Sequence, residues 1–205
     1  MTDQTPPPSY QFPLQGRRLL LGVSGSIAAY KAAALTRLLV KAGAEVQVIL
    51  TEAAAAFVTP LTLGTLSKKP VLTGFLRDAA SGQWHNHVEL GLWAEAFIIA
   101  PASANTIGQL ANGLCPNLLS AVYLSARCPV FLAPAMDLDM YAHPAVTQNI
   151  QRLRSFGNHV FDSPSGELAS GLAGPGRMLE PEEIAAEIAK FFVETPSSSL
   201  ANELG

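Results

Sequence analysis

Short, almost wholly apolar runs alternate along the chain with longer stretches in which apolar residues recur every three or four positions. Residues 19–23 form the first run. Ala28, Ala32, Leu35, Leu39 and Ala42 then share one face of a helix, which Gly43 ends. Residues 45–50, 97–100 and 130–133 are further runs, the last two stopping at a proline, and residues 159–161 are a final strand candidate. Runs apolar on both faces suit parallel strands covered by helices on either side. Residues 105–112, 117–126 and 140–156 read as helices, and residues 182–193 close the series with an amphipathic one. The pattern predicts a single α/β domain over residues 17–193, a Rossmann-like or flavodoxin-like doubly wound parallel sheet. Residues 1–16, with Pro6, Pro7, Pro8 and Pro13, are expected to be a disordered arm, and residues 194–205 a polar tail.

Composition narrows the function. Lys plus Arg number 13 against 16 Asp plus Glu, a net charge of -3, which argues against a surface built to neutralise a nucleic-acid backbone. Only 14% of residues are charged while 49% are hydrophobic. That is more apolar surface than one small monomer hides well, so burial between subunits, in an obligate homo-oligomer, is expected. Cys115 and Cys128 form neither a disulfide framework nor a Cys-x-x-Cys pair, which points to a reducing cytoplasm. The polar N-terminus lacks a signal-peptide core and no run is long enough to span a bilayer, so secretion and membrane insertion are disfavoured.

In doubly wound sheets ligands sit beyond the carboxyl ends of the strands, which directs attention to residues 24–27, 51–57, 101–106 and 134–140. Gly22-Val-Ser-Gly25-Ser-Ile-Ala28 opens a helix directly after a strand, where backbone N–H groups and the positive helix end can receive an anion. The second strand ends in Leu50 and Thr51, without the acidic residue that grips a ribose diol, so a single phosphate fits better than a dinucleotide. A tight turn with no ligand is the alternative. Pro101-Ala-Ser-Ala-Asn-Thr106 places two hydroxyls and an amide in one turn; Ser103 or Asn105 either caps the helix or, with the first turn, meets a phosphate and a polyol. His87 lies where a loop becomes a helix, just before the strand whose loop carries Ser103, and is a candidate base. A His85/His87 metal pair lacks a third ligand. Asp137 and Asp139 lie between Met136 and Met140; the carboxylates either cap a helix or face a site, and the thioethers suit a wall against a flat ring. Residues 165–178 hold four glycines and Arg177, either a mobile flap over an anionic substrate or an inert surface loop.

Five motifs in order, Gly25-Ser-Ile-Ala-Ala-Tyr-Lys31, His87-Val-Glu-Leu, Pro101-Ala-Ser-Ala-Asn-Thr106, Pro134-Ala-Met-Asp-Leu-Asp-Met140 and Gly174-Pro-Gly-Arg-Met178, resemble the flavin-containing cysteine decarboxylases over residues 17–192. The resemblance implies a trimer, or an assembly of trimers up to a dodecamer, with flavin mononucleotide (FMN) held where subunits meet. It places Gly25, Ser26, Thr51, Phe57, Ser103, Ala104, Asn105, Thr106 and Ala135 around the flavin. His87 and Ser170 take the catalytic positions, and Asp137, Met140, Ala169, Arg177 and Met178 the substrate positions. The implied activity converts phosphopantothenoylcysteine to phosphopantetheine through oxidation of the thiol to a thioaldehyde, loss of carbon dioxide and re-reduction of the enethiolate. A peptidyl-cysteine decarboxylase and a noncatalytic flavin-binding subunit are the alternatives, and a phosphopantothenate–cysteine ligase, fused or separate, is an implied partner.

Two positions depart from the family pattern. Asp137 stands where an asparagine holds the substrate carboxylate. Two anions about 4 Å apart repel by roughly 4 kcal/mol at an effective dielectric near 20, so Asp137 must be protonated, turned away, or used to expel the carboxylate. Ser170 stands where a flap cysteine assists the final reduction, and a hydroxyl is a far weaker acid than a thiol.

Overall fold

In the computed structural model, which describes residues 14–78 and 81–195, every apolar run named above is a strand. In chain order the elements are β1 (Arg18–Val23), α1 (Lys31–Lys41) entered through a 3-10 turn (Ile27–Tyr30), β2 (Glu45–Leu50), α2 (Glu52–Ala55), α3 (Pro60–Ser67), β3 (Leu76–Asp78), β4 (Gln83–Trp84), α4 (His87–Trp93), β5 (Ala96–Ala102), α5 (Ala104–Ala111), α6 (Leu118–Ser125), β6 (Val130–Pro134), α7 (Leu138–Ala142), α8 (Pro144–Ser155), β7 (His159–Val160), β8 (Ser165–Glu167), β9 (Ala173–Pro175) and α9 (Pro181–Glu194). Five strands form one parallel sheet in the order β2-β1-β5-β6-β7, with Leu19 in register with Val46 on one side and Ala96 on the other. β3–β4 and β8–β9 are separate antiparallel hairpins.

Alternation along each strand sends side chains to opposite faces, and both faces are covered. Leu19, Leu21, Ile98 and Phe131 pack with Leu35 and Leu39 of α1 and with Ile184 and Ile188 of α9. Leu20, Phe97, Ile99 and Leu132 pack on the other face with Ile107, Leu119, Val122 and Leu153 from α5, α6 and α8. This is the doubly wound α/β architecture expected from the sequence.

The helix expected over residues 140–156 is two helices. Pro144 cannot donate to an upstream carbonyl, so the chain breaks at His143, whose Nδ1 instead accepts from the Ala145 N–H at 3.2 Å and starts α8. β5 continues through Pro101 to Ala102 rather than stopping at Ala100, with its register against β6 shifting between Ile99 and Ala102. Helices α2 and α3 carry no apolar stripe; hydroxyl caps start them, Thr51 accepting from Ala54 N–H at 3.3 Å and Thr59 from Thr62 N–H at 3.2 Å. The expected N-terminal arm lies outside the described residues as far as residue 13. Leu14 is fully buried and Gly16 N–H donates to Gly43 O at 2.9 Å, so packed chain begins ahead of the expected boundary. Residues 196–205 of the expected tail also lie outside the described residues.

Glu95, at the entry to β5, clamps the start of β1: it accepts from Arg17 Nη1 at 2.8 Å, Arg18 N–H at 2.9 Å and Arg18 Nε at 3.5 Å. Burial would raise its carboxyl pKa, but the Arg18 amide and the two guanidinium groups together outweigh it and hold the group below the usual carboxylate range. A carboxyl depressed on folding stabilises above its ordinary pKa and loses that contribution as pH falls through the folded value. Glu95→Gln is therefore expected to cost about 1 kcal/mol at neutral pH, with the gap to the parent closing below about pH 4. Thermal unfolding of both proteins between neutral and acid pH checks this; a gap unchanged in acid would contradict it.

Candidate functional site

Strand order reverses between β1 and β5, and the carboxyl ends of β1, β5 and β6 open there onto a cavity of about 690 Å³. Ser24, almost fully buried after β1, fastens two of the loops together. Its Oγ donates to Pro101 O at 2.8 Å and accepts from Ser103 N–H at 2.9 Å. At Gly25 a Cβ would lie 2.7 Å from Ala53 Cβ, so α2 packs directly on the turn and only glycine fits. Ser26 Oγ accepts from Ala28 N–H at 3.3 Å, and Ser103 Oγ from Thr106 N–H at 3.3 Å. Both hydroxyls therefore cap helices and line the cavity. The N–H groups of Ala104 and Asn105, in the first turn of α5, have no acceptor within their helix, which is the standard condition for receiving an anion.

The opposite wall follows β6 and the β8–β9 hairpin. Ala135 is buried, and Met136, Asp137 and Met140 line the cavity beside it. Asp137 starts α7, one carboxylate oxygen accepting from Leu138 N–H at 2.6 Å. Of the three options for this residue, that contact engages the carboxylate with the backbone. The glycine-rich segment expected as a flap or a surface loop forms a hairpin in which Gly166 faces Gly174, closed by Leu168 N–H to Leu172 O at 2.7 Å. Ala169 lines the cavity. Ser170 is exposed at the tip, its Oγ accepting from Leu172 N–H at 3.4 Å.

Beyond the hairpin, Arg177 and buried Met178 reach the cavity, as does Lys31, only 9% exposed. Lys31 Nζ donates to Glu180 Oε1 at 2.7 Å and to Met178 O at 3.4 Å, and Arg177 Nη2 donates to the same Glu180 oxygen at 3.2 Å. The Lys31 hydrogen bond, working against burial and helped by both cationic charges, holds the Glu180 carboxyl below its ordinary range.

Eleven expected residues thus share one cavity: Gly25, Ser26, Ser103, Ala104, Asn105, Ala135, Asp137, Met140, Ala169, Arg177 and Met178. Thr106 lies buried behind Ser103, whose hydroxyl donates to its Oγ1 at 3.2 Å. Thr51, Phe57, Ser170 and His87 do not line it. Thr51 caps α2, and Phe57 is half-exposed beyond that helix. His87 opens α4, its ring centroid 5.8 Å from that of Trp84, and its Nδ1 is the one buried side-chain polar atom without a hydrogen-bond partner among the described residues. Sequence reasoning placed Ser24 in a ligand-bearing loop without its fastening role, and missed Lys31 and Glu180 as parts of the site. Lys31 was visible only as the last residue of the first motif, and Glu180 lies two residues beyond the last one. Among the described residues no group of three His, Cys, Asp or Glu side chains converges as a metal site, and no helix is long and apolar enough to cross a membrane.

Two hydroxyl-capped helix starts supply donors for a phosphate and a polyol, and three thioethers (Met136, Met140, Met178) supply a soft wall for a flat ring, so the donor set fits a mononucleotide flavin. Residues 8–193 match the family model described as Flavoprotein. The chain is 59% identical over 135 residues to a cysteine/cysteine sulfinic acid decarboxylase from an unknown prokaryotic organism, covering 66% of this chain and 37% of that one. It is 46% identical over 187 residues to the coenzyme A biosynthesis bifunctional protein CoaBC of Bacillus subtilis strain 168, covering 91% of this chain and 46% of that one. The chain therefore spans about half, or less, of the length of these relatives. Among solved structures it is similar to a PPC decarboxylase cysteine-to-serine mutant complexed with pantothenoylaminoethenethiol, with a TM-score of 0.78 and 33% identity, covering 88% of this chain and 100% of that one.

Proposed function

This chain belongs to the flavoprotein family, and on that premise we propose that it is an FMN-dependent decarboxylase of coenzyme A biosynthesis, converting phosphopantothenoylcysteine to phosphopantetheine. The observation that carries the reading is one cavity joining the single-phosphate turn at Gly25–Ser26, the Ser103–Asn105 helix start and the Asp137, Met140 and Arg177 wall. Bound there, FMN would supply a reversible two-electron oxidant, turning the substrate thiol into a thioaldehyde whose thiocarbonyl takes the electron pair of the departing carboxylate. Ser26 and the first-turn N–H groups of α5 would hold its phosphate and polyol, and the thioethers would keep water from the cavity. His87 takes the thiol proton, because the thiolate is the form that gives up electrons readily.

His87 lies off the cavity of its own chain, so it acts on the cavity of a neighbouring copy in a trimer or a larger assembly of trimers. Two unlike apolar patches support this. Val88 and Leu92 on α4 and Leu124 on α6 are exposed on the helix pair that carries His87, and Ile27 and Tyr30 are exposed at the cavity edge. Two unlike patches on one chain suit a head-to-tail contact, which forms a ring where its rotation closes. A reducing cytoplasm fits the exposed free thiol of Cys115 and the Cys128 thiol, which burial pushes up to about 12. The ligase acting before this step would come from a separate domain or chain.

Ser170 favours a second reading of the product. The similar solved structure carries a serine in place of a cysteine and holds an enethiol. If the Ser170 hydroxyl is too weak an acid for the last protonation, this chain releases the decarboxylated enethiol and leaves the flavin reduced. Ser170→Cys is then expected to raise the ratio of saturated thiol to enethiol product by on the order of a hundredfold, read by mass spectrometry. An unchanged ratio would contradict that role.

The substrate reading is tested by supplying the FMN-loaded protein with phosphopantothenoylcysteine and, separately, with a peptide ending in cysteine. Carbon dioxide release is expected from the former, faster by on the order of a hundredfold. Release from the peptide alone would make it a peptidyl-cysteine decarboxylase, and release from neither, with flavin bound, a noncatalytic subunit.

A further inference from the structure

The cavity is built from segments far apart in the chain, and one carboxylate touches the two that matter most for closure. Lys31 is the first residue of α1 and continues the turn that begins at Gly25. Glu180 immediately precedes Pro181, the first residue of α9, and its N–H donates to Glu183 Oε2 at 3.1 Å, so its backbone is fixed at the start of a 14-residue helix. Both cations meet the same oxygen, Lys31 Nζ at 2.7 Å and Arg177 Nη2 at 3.2 Å from Glu180 Oε1. Arg177 in turn lies across the hairpin: a Cβ at Gly166 would sit 2.7 Å from Arg177 Nη1 and 2.8 Å from its Cδ. A contiguous chain of contacts therefore runs from β8 through Arg177 and Glu180 to Lys31 and the turn under the cavity.

We propose that Glu180 is a positioning residue: its single carboxylate oxygen holds the Arg177 guanidinium and the Lys31 ammonium together at the cavity wall, and so seats the β8–β9 hairpin over the turn. Glu180 does not itself line the cavity; it acts through the two cations that do. Lys31 and Arg177 both line the cavity, where they can meet an anionic substrate group. Glycine at residue 166 leaves room for this contact, since a Cβ there would displace the Arg177 side chain. The mostly buried Lys31 has Met178 O as its other acceptor, at 3.4 Å, a poor substitute for a carboxylate.

Glu180→Gln and Gly166→Ala should give the same phenotype by breaking the chain of contacts at different links. Limited proteolysis of the FMN-loaded protein, with cuts located by mass, is expected to cleave residues 168–172 about fivefold faster in either variant. The thermal midpoint is the exception: it should change little in Gly166→Ala, where the Arg177 side chain is about two-fifths exposed, and fall in Glu180→Gln, which leaves the mostly buried Lys31 ammonium without its carboxylate. Combining the two substitutions should add little to either, since both act through Arg177. On phosphopantothenoylcysteine, KM is expected to rise about tenfold with kcat within about twofold, the split of lost positioning rather than lost chemistry. Only the KM measurement rests on the proposed function: a parent protein that releases no carbon dioxide would end that reading and leave the proteolysis result standing. Unchanged hairpin cleavage, additive effects in the double variant, or loss of thermal stability without faster cleavage at residues 168–172 would overturn the positioning role.

Discussion

Replacing His87 by asparagine is expected to lower decarboxylation by about 10²- to 10⁴-fold while the protein stays yellow and fully loaded with FMN. Asparagine keeps a polar group near the imidazole position but cannot take a proton, and none of the residues lining the cavity is changed. The described structure already marks the imidazole as unusual. Its Nδ1 is buried with no hydrogen-bond partner among the described residues, a state that costs stability. Carbon dioxide release and flavin absorbance measured on the same sample separate loss of the base from loss of the cofactor. Full turnover in His87→Asn would remove His87 from the mechanism.

Gly25→Val is expected to do the reverse: FMN affinity falls by at least about a hundredfold, roughly 2.7 kcal/mol, and activity falls with it. A Cβ at residue 25 would lie 2.7 Å from Ala53 Cβ, 3.1 Å from Ala53 C and 3.2 Å from Ala53 O. Two of those atoms are backbone of α2, so no side chain can swing clear and the turn itself must shift. Because Ser24 holds that turn to Pro101 and Ser103, a shift is passed to the start of α5, the second group of phosphate and polyol donors. Overpacking of this kind also lowers stability by about 1–3 kcal/mol, so binding is measured by flavin fluorescence below the unfolding transition. Parent-like affinity in a folded Gly25→Val would contradict the assignment of the turn to the cofactor. If sites form between copies, mixing refolded His87→Asn and Gly25→Val chains should restore activity at about a quarter of the sites by random assortment.

How much could be read in advance follows from the range of each interaction. Burial on both faces makes residues 19–23, 97–100 and 130–133 apolar without interruption, and the edge strand 45–50 largely so, so the sheet and its ligand-bearing end were legible from local pattern alone. Caps were legible as residue types but not as roles: Ser103 both caps α5 and lines the cavity, where the sequence left the two uses as alternatives. The break at His143 was in plain view as Pro144, but a continuing run of helix-forming residues outweighed it in the pattern. The Lys31–Glu180 pair joins residues 149 positions apart, and no local periodicity signals such a contact. His87 was placed near Ser103 because the two are close in sequence; in space α4 carries it off that cavity, which no spacing along the chain signals.

The most direct test of the account strips the flavin, confirms that the apoprotein remains folded, and follows carbon dioxide release from phosphopantothenoylcysteine before and after FMN is added. No release is expected from the apoprotein, and prompt release once the yellow complex forms. Release at the same rate without flavin, or a folded protein that never takes up FMN, would contradict it.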